Sequence, residues 1–113
     1  MALPHAGSGE PWDVKPLGDA LAEARTSALF KAENLEVIRL VMPAGHVLPP
    51  HQVPGEITLQ CLEGELVVEA QGQVRRLKAN QLLFLSGGEP HKVTAVQASS
   101  ALLTIALLAG TGH

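Results

Sequence analysis

Apolar and polar residues alternate along much of this chain. From Ile57 the order runs Ile57, Thr58, Leu59, Gln60, Cys61 before Leu62 breaks it. A period of two places Ile57, Leu59 and Cys61 on one face of a strand and Thr58 and Gln60 on the other. Further short apolar runs occupy residues 27–30, 35–41, 66–70, 74–77, 81–85, 91–96 and 100–108. Turn-forming residues separate them, among them Pro43, Gly45, Gly64, Gly72 and the stretch 86–90. Glu63 and Gly64 read as a hairpin turn that returns 66–70 alongside 57–62. The run 81–85 is apolar on both faces, which predicts a strand buried on both sides. The pattern amounts to about eight or nine strands at roughly ten-residue spacing, the signature of an antiparallel barrel or two-sheet sandwich. No helical pattern separates the strands, which excludes a parallel α/β fold.

The start of the chain reads differently. Residues 1–16 carry Pro4, Gly7, Gly9, Pro11 and Pro16 and predict an irregular arm, mobile at its beginning. Leu17, Ala20, Leu21 and Ala24 fall at helical spacing, so a short helical segment is expected there. The division is an N-terminal arm over 1–25 and one barrel domain over 26–113. A length of 113 residues leaves little room for more.

Composition narrows the function classes. Hydrophobic residues are 46 % of the chain, enough for a packed core. With no tyrosine, one tryptophan and two phenylalanines, that core must be aliphatic, and there are few aromatic faces for stacking bases or sugars. Net charge is −3, and the longest basic cluster is Arg75, Arg76 and Lys78 around Leu77, on an expected edge hairpin. This argues against nucleic acid as a partner. No apolar run reaches the roughly 18 residues of a membrane span, and the N-terminus lacks the basic and apolar stretches of a secretory signal. A single cysteine, Cys61, allows no intramolecular disulfide. These features together give a cytoplasmic expectation.

The candidate chemistry lies in two histidine frames. The first runs from Gly45 through His46, Pro49, Pro50, His51, Val53, Pro54, Gly55, Glu56 and Ile57 to Gly64; the second holds Ser86, Gly87, Gly88, Glu89, Pro90 and His91. Their spacing resembles the two motifs of the cupin family of small jelly-roll barrels (the RmlC-like cupins). Gly45, His51 and Gly64 fit the first motif, and Gly88 and His91 the second, over most of the chain from residue 35 to 108. The resemblance implies an antiparallel jelly roll, or double-stranded β-helix. It also implies a homodimer paired through the sheet. In that family three histidines and a glutamate surround a divalent metal. Here Val53 stands at the second histidine, Ile57 at the glutamate, Asn80 at the second motif's first glycine, Ser86 at its proline and Ala95 at its asparagine.

Two of four family ligands therefore remain, and both replacements are apolar and β-branched. A pair of imidazoles alone makes a weak site, because catalytic zinc ordinarily has three protein ligands. His46 or Glu56 could supply a third ligand, His46 if its segment bends inward and Glu56 if a bulge forms at Pro54 and Gly55. The alternatives are a solvent-facing turn for His46 and an exposed loop carboxylate for Glu56. Gln52 and Gln60 point to the opposite face in regular strand geometry. Cys61 is a soft ligand in principle and an inert core thiol otherwise. His5 and His113 are expected to be exposed near the termini. The expected ligand-binding set is His51, His91, Val53, Ile57, Leu59 and Cys61, with His51 and His91 as the metal positions. The expected function is binding of a small molecule in the barrel cavity, with a weakly held Zn, Ni, Fe or Mn ion as the possible cofactor. The alternative is a metal-dependent enzyme of oxygenase or isomerase type acting on a small metabolite. A third reading is a metal-free enzyme with one histidine as general base.

Overall fold

The structure is a computed structural model that describes residues 6–108, except for the side chains of residues 49–51. His5, His113 and the expected mobile start of the arm lie outside the described residues. Nine strands are described: β1 (Ser27–Lys31), β2 (Leu35–Met42), β3 (Val47–His51), β4 (Ile57–Glu63), β5 (Glu65–Ala70), β6 (Gln73–Lys78), β7 (Leu82–Leu85), β8 (His91–Ala95) and β9 (Ser99–Ala106). They form a five-stranded sheet in the order β1-β2-β9-β4-β7 and a four-stranded sheet in the order β3-β8-β5-β6. All the pairings are antiparallel. This is the expected all-β jelly roll. The sequence pattern missed β3, whose prolines, Pro49 and Pro50, read as loop. Pro is tolerated there because β3 is an edge strand.

The alternation in β4 has the predicted outcome. Ile57, Leu59 and Cys61 are buried on the inner face, and their partners across β9 are Ile105, Leu103 and Ala101. Leu40, Met42, Leu66, Val68, Leu77, Val93 and Ala95 complete an aliphatic core between the sheets. Cys61 and Leu66 are both 0 % exposed.

Two expectations are corrected. Glu63 and Gly64 do not make a hairpin turn, because β4 and β5 belong to different sheets. The chain instead turns a corner between the layers. Gly64 has φ +83°, and a Cβ there would lie 2.2 Å from Ser99 Oγ and 2.4 Å from the carbonyl oxygen of Ala98. Only glycine fits that corner. Second, β7 is not buried on both sides. It is the edge of the larger sheet, and Leu82 and Phe84 are 61 % and 57 % exposed.

The arm is fastened to the outside of the larger sheet. The Ala6 amide donates to the carbonyl of Leu29 at 2.9 Å. Arg39, only 6 % exposed, donates through Nη1 and Nη2 to the carbonyls of Lys15 and Asp13 at 3.0 and 3.3 Å. The expected helical segment is a 3₁₀ helix, Gly18–Glu23. At its start the Leu17 and Gly18 amides donate to the two carboxylate oxygens of Glu63, at 2.9 and 3.0 Å, and the buried Ser100 hydroxyl donates to the same carboxylate. Burial opposes ionisation of Glu63 as the largest single effect. The hydrogen bonds from Ser100, Leu17 and Gly18, with Arg39 nearby, outweigh it together and hold the carboxyl below its ordinary pKa.

Candidate functional site

The two histidine frames meet at one end of the barrel. Backbone register pairs His51 with His91, His91 with Ala70, and Ala70 with Gln73, a row running across the smaller sheet. His91 is 5 % exposed, and Val93 and Ala95 beyond it on the same face are buried in the core. The His91 Nδ1 lies 3.1 Å from the carbonyl oxygen of Glu89. A carbonyl can only accept, so Nδ1 is the donor in this contact. The loops interlock as well. The Gly88 amide donates to the Val53 carbonyl at 2.7 Å. A Cβ on Gly87 would lie 2.2 Å from the carbonyl oxygen of Pro54, so this close approach requires a glycine.

The other expected residues are spread along the barrel, with Val53 bonded to the second histidine frame through its carbonyl. Leu59 and Cys61 are core residues, enclosed by the facing sheet. The Cys61 sulfhydryl donates to the carbonyl of Glu63 at 3.4 Å, and burial pushes the thiol pKa up, so it is an inert core group. Ile57 is buried in the same inner row, and Val53 is half-buried in the loop. His46 is exposed and sits at the far end of β8: its carbonyl accepts from the Ala95 amide at 2.9 Å. Four residues of strand, roughly 13 Å, separate that point from His91, so the two cannot share an ion. Glu56 is exposed, with its carbonyl accepting from Ala106 at 3.0 Å.

A groove of about 530 Å³ lies at the histidine end, lined by His91, Glu89, Ala70 and Gln73 among others. Between β6 and β7, the edge strands of the two sheets, is a cavity of about 450 Å³. Its inner wall is Val68, Leu77, Leu83 and Leu85, and its rim includes Ala70, Gln73, Arg75 and Gln81. The inner wall belongs to the faces that carry His91 and Ile57, since Ala70 pairs with His91 and Leu85 with Ile57. The volume falls within the roughly 300–1,000 Å³ of small-molecule sites. None of these cavity residues was among those expected from the sequence. The available signal was the period-two pattern in β6: once Leu77 is assigned to the core, Arg75 and Gln73 share its face.

The pattern of the cupin domain family matches residues 38–106. The chain belongs to the cupin family. Among solved structures, an RmlC-like cupin from Desulfovibrio desulfuricans is 30 % identical, covers 72 % of this chain and 79 % of its own, and superposes with a TM-score of 0.66. A cupin superfamily protein from Desulfitobacterium hafniense is 16 % identical with a TM-score of 0.76, over 96 % of this chain and 100 % of its own. A conserved protein of unknown function from Streptococcus pyogenes is 19 % identical with a TM-score of 0.74, over 96 % and 98 %. No curated protein matches the chain.

The cupin frame explains one departure in its second motif. Asn80, at a glycine position, has φ +72°, a left-handed conformation that asparagine tolerates better than most side chains. The metal set is not preserved in this way. Among the described residues no group of three or more His, Cys, Asp and Glu side chains is gathered for an ion. The donors that the described residues offer do not fit a closed metal centre. Also among the described residues, no helix is long and apolar enough to cross a membrane.

Proposed function

We propose that this cupin binds a small, largely apolar molecule in the cavity between β6 and β7, at the open flank of the barrel. The observation that carries the reading is the cavity between two edge strands that do not pair, where the half-buried Leu83 and Leu85 lie beside the core residues Val68 and Leu77. His91 stands one strand behind the rim, across from Ala70, and supplies a polar group whose ring is held by the Glu89 carbonyl. A Zn, Ni, Fe or Mn ion at His51 and His91 is weak in this reading and not needed for binding. Titration of small apolar molecules into isotope-labelled protein is expected to shift the amides of β6 and β7, with or without a chelator. Shifts confined to the outer face of the larger sheet would defeat the reading. Stoichiometric metal after reconstitution, with activity lost in His91→Ala, would favour the oxygenase or isomerase alternative instead. We also propose a homodimer formed along the apolar edge of β7, where Leu82 and Phe84 are exposed. A monomeric mass by light scattering at micromolar concentration would remove it.

A further inference from the structure

The charge at the cavity rim narrows the ligand class. Residues two apart in a strand share a face, and Arg75 pairs in register with the buried Val68. Arg75 is therefore on the inner face of β6, at the cavity rim. Its neighbour Arg76 also lines the cavity, but its guanidinium is held by Glu65. The other nearby carboxylates are also engaged. Glu89 accepts from Gln71 Nε2 at 2.9 Å, and Glu69 lies 3.6 Å from Lys92 Nζ. Arg75 donates only to the neutral amide oxygen of Gln73, and among the described residues no carboxylate pairs with it.

The rim thus carries one uncompensated, fork-shaped cation above an apolar wall. A guanidinium matches a carboxylate through two parallel hydrogen bonds, and Gln73 can be displaced without leaving a buried charge behind. We propose that the ligand of this cavity is a small organic acid with an apolar body, its carboxylate on Arg75 and its body against Val68, Leu77, Leu83 and Leu85. A neutral apolar molecule would leave Arg75 unused, and a polyanion would find a single uncompensated cation in a chain of net charge −3. The inference rests on the proposed binding function and adds to it the chemistry of the ligand.

Octanoate, its neutral analogue octanamide and octylammonium are suitable probes, followed by amide shifts in β6 and β7. Octanoate is expected to bind more tightly than octanamide by about tenfold, the size of one charge-assisted hydrogen-bonded contact. Arg75→Gln should erase that preference while octanamide binding stays the same. Arg75→Glu should reverse it in favour of octylammonium. Arg75 is exposed on an edge strand, so both variants are expected to fold, which a circular dichroism melt verifies. Equal binding of octanoate and octanamide, or an unchanged preference in Arg75→Gln, overturns the acid while leaving the cavity as a binding site. Absence of any shift in β6 and β7 with all three probes overturns the acid and the proposed function together.

Discussion

The two flanks of this barrel are built from the same residue types and behave differently. On the closed flank, β4 is hydrogen-bonded on both sides, by β9 and β7, and its inner row of Ile57, Leu59 and Cys61 is sealed beneath the facing sheet. On the open flank, β6 and β7 are each the last strand of their own sheet, and the half-buried Leu83 and Leu85 line a cavity beside the buried Val68 and Leu77. Both rows are aliphatic, so hydrophobicity does not separate them. Strand pairing does. The cupin ligand positions at Val53 and Ile57 fall beside the closed flank, where an apolar side chain joins the wall. Space for a ligand remains where two edges leave the barrel unsealed.

The difference can be broken or sharpened by mutation. The largest effect is expected from Leu59→Ala, which removes a side chain that is 2 % exposed at the centre of the closed flank. It should cost about 3 kcal/mol, as buried leucine truncations do, measured by urea unfolding. A cost under about 1 kcal/mol would mean that the closed flank can collapse or is looser than described.

Glu63→Ala comes next. It leaves the Leu17 and Gly18 amides and the buried Ser100 hydroxyl without their common acceptor. The expected loss is about 2 kcal/mol, with the arm more open to proteolysis. The same carboxylate gives a pH dependence. Its pKa in the folded protein lies below the ordinary 4.5. The unfolded chain therefore binds the proton more readily, and the Glu63 contribution is complete above that ordinary value and lost as pH falls through the folded one. The stability gap between the wild type and Glu63→Gln should narrow on acidification from about pH 5 to about pH 3. A gap that widens would reverse the assigned sign.

The smallest effect is expected from Leu82→Lys on the edge of the open flank. It should change stability by no more than about 0.5 kcal/mol, as exposed positions do. If the proposed dimer uses this edge, the same variant should shift sedimentation toward the monomer. A large loss of stability would mean that β7 is covered in the monomer.

Much of the fold was legible because strand signals are local. The alternation from Ile57 to Cys61 gave the correct faces, since neighbouring side chains in a strand must point opposite ways. The two histidine frames do meet in the fold, and Gly87 and Gly88 lie against the loop of Val53 and Pro54. The cavity was not legible. Leu83 and Leu59 look alike in the sequence, and only the strand order makes β7 an edge. Arg75 read as part of a basic cluster because its ion-pair partner, or lack of one, depends on where Glu65, Glu69 and Glu89 come to lie.

The sequence by itself determined a set of short antiparallel strands, their apolar faces and the turns between them, because backbone geometry couples each residue to its immediate neighbours. The tertiary structure decided which strands pair and which stay edges. It took β4 to β9 and β7 rather than to β5, changed Glu63 from a turn residue into the clamp of the arm, and left the barrel open beside Arg75. Those outcomes depend on contacts between residues tens of positions apart, and no local pattern encodes which of several similar apolar strands will meet.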